Sequence, residues 1–335
     1  MRLISGFRLL IALAVCLPVV AVLCALLGST HLSLSNLLTG DANSIERLIL
    51  TEIRLPRVLL TMVVGGVLAT SGAVLQGLFR NPLADPSLIG VSAGASVGAS
   101  LSILLGTGIV SASLGGLSLI TLGAFFGGAL TVWLVYRLST SHRGTSVSTM
   151  LLVGIAISAL AGAISNLLSF VADNEMLRRM SLWQMGNLDL ASWNRAGLSI
   201  LMLILFALLL IRQSASLNAL LLGESEARHL GINVKAIKKR LILLAALGVG
   251  VSTALAGVIA FVGLIVPHLV RQLAGPDHRH LLLGSGLMGA NLLLLADLVA
   301  RTILAPAELP VGIVTAFLGV PFFVYLLVHQ RRTDA

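Results

Sequence analysis

Few residues in this sequence could do chemistry, because charged side chains make up only 10% of it. They gather in short polar segments, of which the most organised is Leu222-Gly-Glu-Ser-Glu-Ala-Arg-His-Leu-Gly-Ile232. Its order predicts a short amphipathic helix, with Leu222, Ala227 and Leu230 on one face and the charged residues in water. Gly231 suits the left-handed position that ends such a helix. A helix of this kind is either a solvated loop or a docking element for a soluble partner.

Three arginines, Arg54, Arg57 and Arg301, stand at the ends of apolar segments. An arginine in this position can extend towards lipid headgroups without any protein partner. Alternatively, Asp297 lies four residues before Arg301 and can hold it through an i,i+4 ion pair. The sequence leaves both interpretations open.

The sequence shows neither a metal-binding cluster nor a nucleotide-binding motif. His268, His278 and His280 lie close together, but no cysteine or carboxylate cluster with metal-ligand spacing accompanies them. Cys16 and Cys24 share one apolar segment and are interpreted as packing residues. The sequence contains no Gly-x-x-x-x-Gly-Lys-Ser/Thr motif, so it cannot hydrolyse ATP through a P-loop. We therefore expect no catalytic residue, no metal site and no cofactor bound by this chain.

Composition places most of the chain in a membrane. Hydrophobic residues make up 57% of it, and its mean hydropathy is +1.03, whereas soluble domains carry about 25% charged residues. The net charge of +9 could suggest nucleic acid, but aromatic residues, at 4%, are too few to form base-stacking platforms. The sequence therefore predicts an all-α polytopic membrane protein, with residues 1–335 forming a single transmembrane domain.

Hydropathy marks nine segments long enough to be considered as spans. They are Leu9–Leu27, Val58–Leu78, Leu88–Gly106, Leu117–Leu138, Met150–Val171, Leu198–Ile211, Leu241–Val266, Leu281–Ala296 and Val311–Val328. In the third segment, Gly90, Gly94 and Gly98 form a small-residue face that predicts close contact with another helix.

Nine spans would place the two basic termini on opposite sides of the membrane, against the positive-inside rule. The glycine-rich run Leu241–Val266 is easily broken, and a second short helix from about Phe261 to Leu273 gives ten spans. Pro267 is expected to shape this helix, because proline disfavours a helical residue before it. With ten spans, the cytoplasmic segments sum to about +10 and the outer ones to about −1. The positive balance thus reflects topology, and segment 222–232 and both termini are predicted to be cytoplasmic.

Several motifs in their order resemble the permease subunits of ATP-binding-cassette importers for iron–siderophore complexes, haem or vitamin B12. The motifs cover nearly the whole chain after the first helix: Arg54-Leu-Pro-Arg57, Gln76 with Arg80-Asn-Pro-Leu-Ala84, Leu222-Gly-Glu through Leu230-Gly231, Phe261-Val-Gly-Leu-Ile-Val-Pro-His268, Asp277-His-Arg279, Ala296-Asp297 with Arg301, and Glu308-Leu-Pro-Val-Gly312. The resemblance implies a vitamin-B12-importer-like permease fold with ten transmembrane helices per subunit. It also implies that two copies form a homodimer around a central pathway.

The resemblance further implies roles for particular residues. Segment 222–232 would be the cytoplasmic coupling helix that docks onto an ATPase subunit. Its docking residues would be Leu222, Gly223, Glu224, Ala227, Arg228, Leu230 and Gly231. The arginines Arg54, Arg57 and Arg301 would pair with acidic residues of a periplasmic binding protein.

The translocation pathway would include two further groups of residues. Arg178 and Arg179 would attract an anionic chelate near the outer mouth, or else they belong to a loop balanced by Asp173, Glu175 and Asp189. Near the inner end of the fifth span, Ser146, Ser148 and Thr149 would line a gate, although hydroxyl groups in membrane helices commonly bond to their own backbone.

The expected function is import of an iron complex, haem or a ferric siderophore, across a bacterial inner membrane. Expected partners are a second copy, two ATPase subunits that use ATP, and a periplasmic substrate-binding protein, with no nucleic acid. The Arg178-Arg179 pair favours haem, and vitamin B12 is the alternative cargo. A proton-coupled secondary transporter, using Asp297 as its buried carboxylate, is the alternative of another class. A membrane sensor without transport is a third.

Overall fold

The computed structural model describes residues 4–28, 44–106, 118–141 and 144–333. Arg2 and Leu117 lie outside these ranges, so the structure does not address the charge at the N-terminus or the predicted start of the fourth span.

The described residues are almost entirely helical. The helices are α1 (Gly6–Leu26), α2 (Ser44–Leu48), α3 (Leu55–Phe79), α4 (Val91–Leu105), α5 (Leu119–Ser139), α6 (Val147–Val171), α7 (Asn174–Gln184), α8 (Trp193–Ile211), α9 (Ser214–Leu222), α10 (Glu224–His229), α11 (Val234–Ala256), α12 (Val262–Ala274), α13 (His278–Thr302) and α14 (Val311–Thr333). A π-helical turn, Ile49–Arg54, joins α2 to α3, and a 3₁₀ turn, Pro86–Ile89, precedes α4. A two-residue antiparallel hairpin, β1 (Thr140–Ser141) and β2 (Gly144–Thr145), joins α5 to α6.

Ten of these elements correspond to the ten predicted spans. Within the described ranges, seven helices are long and apolar enough to cross a membrane, and three shorter apolar helices, α4, α12 and α14, accompany them. The all-α, polytopic prediction is therefore confirmed.

The long apolar run divides into two helices, as predicted. Helix α11 ends at Ala256, and Gly257 leaves the helix with φ 73° and ψ −169°, a conformation that a residue with a Cβ rarely adopts. Helix α12 begins at Val262, so the break falls at 257–261. The expectation for Pro267 is wrong, because α12 continues helically through both Val266 and Pro267. Both residues are buried, and packing overrides the local preference of the residue before proline.

The helices differ greatly in how deeply they are packed. Helix α3 is central: the span that contains it is 83% buried and contacts α8, α11, α12 and α13. By contrast, only 17% of the span in α6 is buried. The predicted small-residue face of α4 is confirmed, because Gly94 and Gly98 lie against the backbone of Gly127 and Gly123 on α5 with no room for a side chain between them.

Candidate functional site

The predicted helix in segment 222–232 is present as α10, which spans Glu224–His229. The Gly231 amide donates to Arg228 O, at 2.9 Å, and the Ile232 amide donates to Ala227 O, at 3.0 Å. With Gly231 at φ +80°, these two bonds form a Schellman motif, which closes the helix as the sequence predicts.

The apolar residues of this segment do not share one face. Ala227 is fully buried, whereas Leu222 is 67% exposed and Leu230 is 64% exposed. The expected common face is therefore wrong: Gly223, at φ 121°, separates α9 from α10, and Leu222 ends one helix while Leu230 follows the other. The result is a rigidly anchored short helix flanked by two exposed leucines.

Glu224 connects this helix to the rest of the bundle. Its Oε1 lies 2.8 Å from Lys238 Nζ, and the same Nζ donates to Thr145 O, at 2.9 Å. Lys238 is only 8% exposed, so one buried ammonium group ties α10 to the β1–β2 hairpin. The hydrogen bond from Lys238 is the main reason that the pKa of Glu224 is lowered, and the charges of Lys238, Arg228 and Arg80 lower it further against the opposing effect of burial.

A polar cavity of about 370 Å³ lies beside this contact. Glu224 and Lys238 line it together with Arg80, Ser146 and Ser148. The cavity therefore lies between the α10 segment and the N-terminal end of α6.

Two of the predicted gate hydroxyls also have a local structural role. Ser146 is the N-cap of α6 and accepts from the Thr149 amide, at 3.3 Å, while Thr149 Oγ1 donates to Ser146 Oγ, at 3.0 Å. Their proposed role in a gate stays a prediction.

At the opposite end of α3, Arg57 is the centre of a buried ion-pair network. Its Nε and Nη2 donate to Asp297 Oδ1, at 3.1 and 2.8 Å. Its Nη1 donates to Asp189 Oδ1, at 3.1 Å, and to Glu308 Oε2, at 2.7 Å. Asp297 is wholly buried and also lies 3.0 Å from Arg301 Nε. The i,i+4 pair offered as an alternative for Arg301 is thus formed.

Arg54 and Arg301 hold the end of the first helix. Arg54 Nη1 donates to Ala25 O and Leu26 O, at 3.0 and 2.5 Å, and Arg301 Nη2 donates to Cys24 O, at 2.9 Å. Cations at these unsatisfied carbonyls complement the negative end of the helix dipole.

Arg54, Arg57 and Arg301 are all buried in this chain, and each has an internal partner. Docking of a binding protein by these arginines stays a prediction. The carboxylates of Asp189 and Glu308 are more exposed than the guanidinium group of Arg57, which both of them contact.

Arg178 and Arg179 lie on α7 and are exposed. Arg179 Nε contacts Glu175 Oε1 at 2.9 Å, which is an i,i+4 pair of two solvated side chains. Arg178 has no carboxylate within ion-pair distance among the described residues. Arg178 is therefore available to an anion that approaches this end of the molecule, whereas Arg179 already has a carboxylate partner.

The model of the FecCD transport family matches residues 16–329 of this chain. The chain belongs to the FecCD transport family. It is 43% identical to the hemin transport system permease protein HmuU of Yersinia pestis over 331 residues, which cover 99% of this chain and 97% of that protein. It is 41% identical to the vitamin B12 import system permease protein BtuC of Pectobacterium atrosepticum over 293 residues, which cover 88% and 86% of the two chains.

A solved structure assigned to the metal-chelate type of ABC transporter, in an inward-facing conformation, superposes with a TM-score of 0.85 at 34% identity. It covers 96% of this chain and 99% of that one. The FecCD chain is therefore a multi-pass permease subunit of an ABC importer. Importers of this kind also contain ATPase and binding-protein partners.

His278 of the FecCD permease is held by hydrogen bonds to Asn218. His278 Nδ1 and its amide both lie 2.9 Å from Asn218 Oδ1, and Asn218 Nδ2 donates to Asp277 Oδ1, at 2.8 Å. Asp277 caps α13, and the bond from the Arg279 amide is the main cause of its lowered pKa. No group of three or more metal-ligating side chains occurs in the ranges that the structure describes.

Sequence reasoning missed Lys238 and Arg195 as site residues. Lys238 stands in a basic run beside Lys239, and no local signal distinguishes the buried lysine from the exposed one. Arg195 is buried three residues after the N-cap of α8, in a segment whose pattern suggests only the start of a span.

Proposed function

We propose that this FecCD permease imports an iron chelate, with haem as the first candidate, through a pathway between two copies of the chain. The observation that supports this choice is its 43% identity with a hemin permease over 99% of its length. The exposed Arg178 and Arg179 suit a cargo with carboxylate groups. Vitamin B12 is the second candidate, because relatives named as vitamin B12 permeases are 41–44% identical over 84–98% of this chain.

Segment 222–232 would receive the motion of the ATPase subunit. The exposed Leu222 and Leu230 provide apolar contacts, and Arg228, which is also exposed, provides a charged one. Glu224 faces Lys238 instead, so we assign it to transmission within the permease. The outer end of the molecule, with Arg54, Arg57 and Arg301, would receive the binding protein.

The homodimer would form through the lightly packed helices. Helix α6 exposes Phe170, which is 86% exposed, and α14 exposes Phe317, at 77%. Ser146, Ser148 and Thr149 would then stand near the cytoplasmic end of the shared pathway. The complex would lie in a bacterial cytoplasmic membrane with both termini inside, and this chain would bind no cofactor of its own.

A proton-coupled carrier is a weaker explanation. Its required carboxylate, Asp297, is contacted by both Arg57 and Arg301, which gives it a structural role at one end of the bundle. A proton relay would need a carboxylate free to exchange protons along a path.

The test is uptake by proteoliposomes that contain the permease, its ATPase and its binding protein. Haem, a ferric siderophore and cobalamin are supplied in turn, with ATP or with a proton gradient alone. ATP-dependent uptake of haem supports the proposal, and uptake of cobalamin alone favours the second candidate. Uptake that follows the proton gradient without ATP contradicts both.

A further inference from the structure

A cavity of about 390 Å³ lies near the same end of the bundle as Arg57, between α4, α5, α7, α8 and α11. Its apolar walls include Ile103, Ile120, Trp183, Leu190 and Leu255. Two guanidinium groups, those of Arg179 and Arg195, also line it.

Arg195 is only 7% exposed and has weak electrostatic compensation. Its Nη2 donates to Ser118 Oγ, at 3.0 Å, and to Thr121 Oγ1, at 3.3 Å. Both acceptors are neutral, and no carboxylate lies within ion-pair distance of Arg195 in the part of the chain that the structure describes.

Two other buried arginines at this end, Arg57 and Arg301, differ from it because they have carboxylate partners. Arg57 meets three carboxylates, and Arg301 meets one carboxylate and the end of α1. A buried charge without a counter-charge is costly, and such charges are normally paired. Arg195 thus lacks the carboxylate partner that Arg57 and Arg301 have, and it lines a cavity large enough to admit an external group.

The cavity also indicates the kind of molecule that would supply the counter-charge. Arg195 and the N-cap Ser118 both lie at helix ends, where a membrane helix meets the headgroup region. Leu190, which lines the cavity and is 55% exposed, and the neighbouring Trp193, which is 45% exposed, extend the apolar surface to the outside of the cavity. An anionic head with a hydrocarbon chain matches the cation and the apolar walls together.

We propose that this cavity binds an anionic phospholipid. Its phosphate group would pair with Arg195, and part of an acyl chain would lie along the apolar walls. Arg179, which is exposed and contacts Glu175, can turn towards the same phosphate. Arg195, which carries the proposal, is separate from the Arg57 network and from the residues proposed to attract the cargo, whereas Arg179 belongs to both proposals.

Trp183 in the cavity wall offers a direct readout. The chain has three tryptophans, and Trp133→Phe with Trp193→Phe leaves Trp183 as the single reporter. The full permease is placed in nanodiscs of phosphatidylcholine, with increasing mole fractions of phosphatidylglycerol whose acyl chains are brominated. Brominated phosphatidylcholine at the same mole fractions measures non-specific quenching.

We expect brominated phosphatidylglycerol to quench Trp183 at lower mole fractions than brominated phosphatidylcholine does. Arg195→Gln should raise the mole fraction for half-maximal extra quenching by roughly tenfold, since a charge-assisted bond is lost. Arg195→Lys should retain most of the preference, because it keeps the charge. Arg212→Gln, at the other end of the same helix and exposed, should keep the parent preference.

Equal quenching by the two lipids in the parent, or a preference that survives Arg195→Gln, refutes the proposal. If Arg195→Gln fails to fold, the preference for brominated phosphatidylglycerol is compared between the parent and Arg179→Gln instead, and this comparison tests the lipid site. Slower cargo uptake by Arg195→Gln with an unchanged lipid preference would assign the guanidinium group to the transport pathway and would also refute the lipid site.

Discussion

Replacing Asp297 with Asn removes one negative charge from the ion-pair network and keeps the shape of the side chain. Asp297 is 0% exposed and contacts Arg57 through two nitrogens and Arg301 through one. After Asp297→Asn, Arg57 still meets Asp189 and Glu308, but Arg301 has only backbone carbonyl partners among the described residues.

The expected loss follows from burial. Removing one partner of a buried ion pair typically costs about 3–5 kcal/mol, because the opposite charge stays buried without compensation. Since Arg57 retains two carboxylates, we expect a loss of about 3 kcal/mol for Asp297→Asn. For a chain of 335 residues, that loss corresponds to a fall of about 4 °C in the unfolding midpoint.

Asp189→Asn is the matched control, because it removes the same charge from a partner of the same arginine. Asp189 is 54% exposed, and pairs of this kind contribute about 0–1 kcal/mol. The assay is thermal unfolding of purified permease in one detergent, followed by the fluorescence of a thiol-reactive dye or by light scattering. If the two variants unfold at the same temperature, burial does not set the strength of this network and the reasoning is wrong.

Three further predictions concern the inner end and the helix break. Lys238→Met should raise the number of ATP molecules hydrolysed per chelate imported. A double-mutant cycle with Glu224→Gln should give an interaction energy of about 1–2 kcal/mol between the two side chains. Additive effects of the two substitutions would contradict the proposed contact between Glu224 and Lys238. The pKa of Glu224 is lowered in the folded protein. The ion pair with Lys238 therefore stabilises the protein fully above the ordinary glutamate pKa of about 4.3, and this stabilisation is lost only as the pH falls through the lower native value. The coupling of ATP hydrolysis to import should therefore not change between about pH 6 and 8. Gly257→Ala should destabilise by about 2 kcal/mol or more, because φ is 73° and a Cβ would strike Trp183 O. Gly197→Ala, within helix α8 and with no atom within 4 Å of the added Cβ, should leave the midpoint of the same melting assay unchanged or raise it slightly.

Most of the fold was predictable because its causes are local in the sequence. Apolar length defines a span, and the charge rule required a tenth one. The glycines of Leu241–Val266 then predicted that the run divides, and the structure breaks it at Gly257. The closing of α10 at Gly231 was predictable for the same reason, since one backbone position needs a residue without a Cβ.

The site was less predictable because its partners are distant in sequence. Arg57 meets Asp189, Asp297 and Glu308, which lie more than 130 residues further along the chain. The i,i+4 pair of Asp297 with Arg301 was the one member of this network within reach of helix periodicity. Lys238 was out of reach altogether, because its burial depends on the hairpin that carries Thr145.

The uneven packing of the helices indicates which element a displaced coupling segment would move. Helix α3 connects the two ends of the bundle, but its span is 83% buried, and its outer end is fixed by the network around Arg57. Helix α6 is 17% buried, and the hairpin at its inner end is held to α10 through Thr145 O, Lys238 and Glu224. A movement of α3 would disturb close packing along the whole length of that helix, whereas a movement of α6 would break few contacts. A push on α10 should therefore displace α6 against a nearly fixed α3, and Lys238→Met should reduce the displacement of spin labels on α6 while leaving labels on α3 unchanged.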